Sequence, residues 1–213
     1  ITKGEEEEWI KKYLNKEEAF TTSVVSCVGV FSKSNEIMKS VNGDANADLI
    51  RICKENGAKR FVYISAYEVE NEITIPFITG YFQGKRIAEQ AVQKFFPGTH
   101  GTILHPGMIY GTRIQNGLVI PLSIIGAPLE FIMNLPGFNQ LRKIPILGKV
   151  TCSPPVSVHS VANCVVKAAT GQLDEQYNYD NDVLNDNNEA NPEFKQHHSA
   201  IVLEIPQIAA CRP

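Results

Sequence analysis

Apolar residues in this chain fall into two rhythms: short continuous runs, and longer stretches spaced at three and four residues. A continuous β-branched run reads as a strand covered on both faces, and the wider spacing as a helix with one apolar side. Runs of the first kind span Thr22 to Phe31, Arg60 to Ser65 and Gly101 to Leu104. The second kind spans Asn46 to Asn56, with Ile50 and Cys53 inward and Gly57 as its stop, and Tyr81 to Phe95. Strand, helix, strand, helix, strand predicts an α/β fold, a parallel sheet wrapped by helices. Ligands of such sheets bind beyond the carboxyl ends of the strands. Ser65, Tyr81, Lys85, Pro106 and Gly107 would gather at that edge.

The flanks differ. Residues 4–19 place Glu5 to Glu8 ahead of Trp9, Ile10, Tyr13 and Leu14 at helical spacing, predicting an amphipathic helix with its carboxylates at the favourable end. Residues 120–148 are apolar but interrupted by Pro121, Pro128, Pro136 and Pro145, which favours short helices and turns. That segment suits a substrate-covering lid, an interaction surface, or irregular packing on the sheet edge. Pro155 to Val158 reads as extended, followed by a helix capped by Ser160, with Val161, Val165 and Ala168 inward. Residues 174–198 are crowded with Asp, Glu and Asn, so the expected division is a domain over 1–172 and an acidic, irregular tail over 173–213. His197 and His198 have no third ligand nearby and are expected in solvent. Ile201 to Ile208 reads equally as one more strand or as a partner-binding segment.

Composition narrows the class. With 213 residues, 43% hydrophobic, and a formal net charge of −3, the chain can form one sizeable core and has no basic excess to attract nucleic acid. Cys27, Cys53, Cys152, Cys164 and Cys211 are scattered with no C-x-x-C, which argues against a zinc site and suits a reducing compartment. No stretch has the apolar length of a transmembrane segment; the nearest, Leu118 to Leu135, is broken by Pro121, Gly126, Pro128 and Glu130. The chain opens Ile-Thr-Lys-Gly, with neither signal peptide nor Met, so an upstream portion is expected to be missing.

The most specific chemistry is Tyr81-x-x-x-Lys85, placed just after the strand that ends in Ser65. Four residues is one helical turn, so the phenol and the ammonium share a face. A neighbouring ammonium favours phenolate and makes the tyrosine a usable proton donor or acceptor near neutral pH. The Ser65 hydroxyl would hold a substrate oxygen beside it. The same spacing also describes an ordinary solvated pair on a helix surface.

These segments together resemble the middle of a short-chain dehydrogenase/reductase domain of the extended or atypical branch, which binds NAD(P). Tyr81-x-x-x-Lys85 matches that family's Tyr/Lys motif, with Ser65 at the place of its substrate-side hydroxyl. Ile103-Leu-His-Pro-Gly-Met-Ile-Tyr-Gly111 is similar to its Leu-Arg-Pro-Gly-x-x-Tyr-Gly segment, and Pro155-Val-Ser-Val-His-Ser-Val-Ala162 to its later Val-x-Asp-Val-Ala segment. With Ile120 to Leu129 added, the look is closest to organellar members: a plant chloroplast group, a fungal mitochondrial protein of ubiquinone biosynthesis and, more distantly, the nucleotide-binding accessory subunit of respiratory complex I.

The resemblance covers roughly residues 20–172 and implies a Rossmann-like doubly wound parallel sheet. It implies NAD or NADP as cofactor and a small carbonyl, alcohol or quinone-like substrate. Tyr81 would be the general acid/base, Lys85 the group that tunes it and holds the ribose, and Gly29 would lie under the adenine-side ribose. Pro106 and Gly107 complete the cofactor-binding set. The alternative it implies is a non-catalytic accessory or assembly subunit of an organellar membrane complex, docked through residues 118–148. Two departures stand out. The glycine-rich turn that cradles a pyrophosphate is not among these residues, and Asp44 and Asp48 would repel phosphates rather than replace it. His105 stands where the family usually has arginine, which reads as a substitution in a packed loop.

Overall fold

The fold is taken from a computed structural model that describes residues 23–67, 77–115, 118–133, 154–174 and 200–211. Its centre is a parallel sheet built from β1 (Ser23–Ser26), β2 (Arg60–Ile64), β3 (Gly101–Leu104) and β8 (Ile201–Leu203), in the order β1-β2-β3-β8. Register runs Val24 to Phe61, Phe61 to Gly101, and Thr102 to Ile201. The chain is thus α/β with a parallel sheet, as its apolar rhythm predicts.

Alternation along β2 makes the sheet two-sided. Phe61 and Tyr63 point to one face, where α2 (Ala45–Glu55) and α3 (Thr79–Phe95) cover them with Ile50, Cys53, Ala88 and Val92. Val62 points to the other, where α5 (Val158–Ala169) and α6 (Ile205–Ala210) supply Val161, Cys164, Ala168 and Ile208. Each large apolar side chain so enclosed contributes about 2 kcal/mol through lost water contact. Helices on both faces make the sheet doubly wound.

Helix α1 (Asn35–Lys39) runs through a π-helical turn (Ser40–Asp44) into α2. This stretch crosses α3 at unusually close range, because α3 presents glycines at the contact. A Cβ on Gly84 would lie 2.9 Å from Asn42 Cβ, and one on Gly43 would lie 2.8 Å from Gly84 Cα. Gly80 is tighter still, with the Asn35 carbonyl in the space a side chain would need.

Several expectations change in detail. β1 covers only Ser23–Ser26 of the predicted run, and Val25 is half exposed rather than buried. Ser157, not Ser160, caps α5: the Ser160 amide donates to Ser157 Oγ at 3.1 Å, while Ser160 itself is buried. Of residues 120–148, Ile120 and Pro121 end β6 (Leu118–Pro121), which pairs antiparallel with β5 (Thr112–Gln115), and an eleven-residue helix, α4 (Ser123–Met133), accommodates Pro128; residues 134–148 lie outside the described residues. β4 (Ile109–Tyr110) pairs in parallel with β7 (Val156–Ser157). Ile201–Leu203 enters the central sheet as a strand. The predicted helix at 4–19, His197, His198, Cys152 and nearly all of the acidic stretch lie outside the described residues. Among the described residues Cys27, Cys53, Cys164 and Cys211 are free, and no cluster suited to a metal ion occurs.

Candidate functional site

The carboxyl end of β1 and the loop after it are held by buried amides. Asn42 is fully buried; its Oδ1 accepts from the Val30 amide at 2.9 Å, and its Nδ2 donates to the Val30 and Met38 carbonyls at 2.9 and 2.8 Å. Asn46, one turn on, accepts from Ser26 Oγ at 2.8 Å and donates to the Val28 carbonyl at 3.3 Å. Amide side chains imitate backbone partners, so the loop after β1 keeps a fixed course without a strand beside it. Gly29 lies on that loop. A Cβ there would fall 2.9 Å from Asn42 Oδ1 and 3.7 Å from Lys85 Nζ, so the position has room for backbone only.

Lys85 is the centre of the site. It is 4% exposed, donates to the Ile64 carbonyl at 2.8 Å, and sits 4.7 Å from the centre of the Tyr63 ring and 5.8 Å from that of Tyr81. Burial pushes its pKa down to about 8, against the pull of the Glu89 carboxylate and, more weakly, Cys27. The β2 end thereby presents an ammonium that is easily deprotonated for a lysine. Tyr81, one turn earlier on α3, is half-buried. Its ring stacks on Phe31 with centres 4.4 Å apart and meets Phe82 edge-on at 5.3 Å.

Ser65 follows β2 directly and is buried, with its amide on the Leu104 carbonyl at 2.9 Å. Its hydroxyl donates to Glu89. Glu89 also takes His105 Nε2 at 3.0 Å, and His105 Nδ1 meets Glu204 at 2.8 Å. A line of hydrogen bonds therefore runs Ser65, Glu89, His105, Glu204, buried up to the part-exposed Glu204 and joining the ends of β2 and β3 to α3 and the start of α6. Desolvation pulls His105 downward, but Glu204 and Glu89 outweigh it and raise its pKa to about 9. The ring is an imidazolium at neutral pH. The expectation of a passive loop substitution thus gives way to a buried ion pair on two carboxylates.

Ser65, Lys85 and Gly29 come together at one edge, with Tyr81 on the same helix face as Lys85. Pro106 and Gly107 follow β3 at that edge, where the Pro106 carbonyl accepts from the Tyr67 amide at 3.1 Å. The residues that sequence reasoning missed are Asn42, Asn46, Glu89 and Glu204. Glu89 was within reach, since it continues the 81, 85 spacing by one more turn. Asn42 and Asn46 show the same four-residue step. Glu204 lies 99 residues from His105 and gives no local signal.

No family model matches the chain. It is 38% identical over 162 residues to an uncharacterized chloroplastic protein of Arabidopsis thaliana, covering 73% of this chain and 53% of that one. It is 36% identical over 73 residues to the mitochondrial protein fmp-52 of Neurospora crassa, covering 34% of this chain and 29% of that one. The chain therefore spans about half the length of the plant relative and under a third of the fungal one. Solved structures similar in chain course include UDP-glucuronic acid 4-epimerase from Bacillus cereus in complex with NAD, at 14% identity and TM-score 0.47, covering 92% of this chain and 56% of that one. Another is RMD from Pseudomonas aeruginosa complexed with NADPH, at 14% identity and TM-score 0.42, covering 73% and 61%.

Proposed function

We propose that this chain carries the ribose- and substrate-side edge of an NAD(P)-dependent oxidoreductase of the extended or atypical short-chain dehydrogenase/reductase group. We place it in a chloroplast or mitochondrion, following the compartments named for its two relatives. The observation that carries the reading is the buried Lys85 ammonium, fixed on the Ile64 carbonyl between the Tyr63 and Tyr81 rings and beside the bare backbone of Gly29. A lysine is desolvated in this way at a cost, and a nucleotide ribose is a ligand that would use it.

The residues present fit the ribose end of a dinucleotide. Lys85 has donors beyond the one given to Ile64, and Gly29 leaves open backbone next to it. When bound, a nicotinamide nucleotide supplies the hydride chemistry. Tyr81 takes a proton from a substrate hydroxyl, or returns one to a carbonyl oxygen, with the nearby ammonium favouring its phenolate. Ser65, whose own proton is committed to Glu89, faces a substrate as an acceptor and so suits a hydroxyl better than a carbonyl. The stacked Phe31 and Tyr81 rings give a flat apolar wall for a cyclic or quinone-like substrate.

The same commitment of Ser65 favours a second reading, a nucleotide-binding accessory subunit that performs no turnover. A panel of small alcohols, carbonyls and quinones, followed by nicotinamide absorbance, separates the two. In the catalytic reading Tyr81→Phe lowers turnover by about 100-fold or more while leaving nucleotide affinity within a few fold. Unchanged turnover in that variant sinks the assignment of Tyr81. Nucleotide binding with no turnover on any substrate class favours the accessory reading.

A further inference from the structure

Two buried thiols take no part in the site described above, and they touch each other. Cys164 lies in the middle of α5 with no exposed surface, and Cys211 directly follows α6. They are far apart in sequence, yet the Cys164 thiol is hydrogen-bonded to that of Cys211. Both belong to the core between these helices and the sheet. A buried cysteine with no thiol beside it is a small apolar filler, and Cys53, packed on the opposite face, has that character. Two thiols in contact are something more, the reduced form of a disulfide. A hydrogen-bonded pair needs about 2 Å of approach to reach disulfide length, which side-chain rotation and a small shift of a helix end supply.

Access and reactivity differ between the two. A cavity of about 190 Å³ is lined by both cysteines together with Lys167 and Gln207. It gives a thiol reagent an approach to Cys211, which is 8% exposed, ahead of Cys164. Burial first, and the bond to Cys211 second, raise the Cys164 pKa, while Lys167 draws it weakly back. Thiolate is the attacking form, so Cys164 exchanges slowly. A thiol of raised pKa is also a poor leaving group, so a disulfide made from it opens slowly. Such a pair closes slowly and then stays closed.

We propose that Cys164 and Cys211 are a redox staple, joined by exchange with a low-molecular-weight disulfide so that the end of α6 is fastened to α5. The Cys211 thiolate attacks the reagent, forming a mixed disulfide and releasing one reagent thiolate. The Cys164 thiolate then attacks the Cys211 sulfur and displaces the second. Two protein thiols become one disulfide, two electrons pass to the reagent, and both protons end on the released thiols. The staple holds more than one helix. α6 follows β8, a three-residue strand beside β3, and begins after Glu204, which accepts from His105 Nδ1. A bond at the far end of α6 secures that short strand and that contact together. It does not depend on nucleotide binding.

The test equilibrates the native protein with oxidised and reduced glutathione at a series of ratios, then alkylates it and maps its peptides by mass spectrometry. A Cys164–Cys211 linked peptide, two hydrogens lighter than its parts, should rise with the oxidised fraction and vanish on adding dithiothreitol. Mapping separates it from glutathione on the exposed Cys27. The linked protein should melt about 10 °C above the reduced one, because the bond closes a loop of roughly 50 residues in the unfolded chain. Cys164→Ser should stop at glutathione bound to Cys211; its absence there overturns the order of attack. No linked peptide from the folded wild-type protein at any ratio overturns the proposal. So does a link that forms only in denaturant, glutathione left on wild-type Cys211 at equilibrium, or equal melting temperatures of the linked and reduced forms.

Discussion

Replacing His105 by arginine should flatten the dependence of stability on alkaline pH, and the size of the effect follows from its surroundings. The ring is 1% exposed and bridges Glu89 on α3 and Glu204 at the start of α6 at 3.0 and 2.8 Å. Lys85 and Tyr63 also face Glu89. The folded pKa rises from the ordinary 6.5 to about 9, and at ~1.4 kcal/mol per unit this is about 3 kcal/mol of stability. Because the folded value is raised, that contribution is complete below about pH 6.5, declines between 6.5 and 9, and is gone above about 9. Urea unfolding followed by circular dichroism at several pH values across that window measures it directly. The wild-type protein should lose about 3 kcal/mol more than His105→Arg across the window, because arginine keeps its charge throughout. His105→Leu should cost about 3–5 kcal/mol at pH 7, since it removes the cation that both Glu89 and Glu204 hydrogen-bond and leaves Lys85 as the ammonium acting on Glu89. Parallel pH curves for the wild type and the arginine variant would refute the argument.

Further predictions concern the helix that carries the site. Lys85→Met removes a desolvated ammonium and should raise stability at pH 7 by about 1–2 kcal/mol despite the lost bond to Ile64; the gain should shrink from pH 8 upward, as the lysine sheds its charge. Thermal unfolding at pH 7 and pH 10 checks both points. Gly84→Val drives a side chain into Asn42 and the Gly43 backbone and should cost about 1–3 kcal/mol, read as a lower melting temperature and a disturbed Tyr63 environment in near-ultraviolet circular dichroism. Ser157→Ala removes the cap of α5 and should cost about 1 kcal/mol in a urea titration, whereas Ser160→Ala leaves that cap in place.

The central sheet was legible because its strands are short apolar runs and its helices carry one apolar side. Phe61 and Tyr63 on one face, with Val62 on the other, follow from strand alternation alone. Tyr81 and Lys85 share a face because the helical period requires it. What stayed hidden depends on distant partners. Ile201–Leu203 is too short for its period to distinguish strand from helix, and only pairing with β3 decides it. Ser157 and Ser160 offer the same capping chemistry three residues apart, and the helix start selects Ser157. His105 looked passive since its meaning lies in Glu89 and Glu204, one of them far along the chain. The orientation of α4 was concealed for another reason: its sequence is apolar nearly all round, so only the burial of Gly126, Glu130 and Met133 fixes which side faces in.

The most direct test of the proposed nucleotide edge is calorimetric titration of the native protein with NADH and NADPH, in the wild type and in Lys85→Met. The account predicts saturable binding of at least one nucleotide, weakened by ~10-fold or more in the folded methionine variant, as expected on losing a buried charged donor to a ribose hydroxyl. Equal affinity in both proteins, or no binding of either nucleotide, would contradict it.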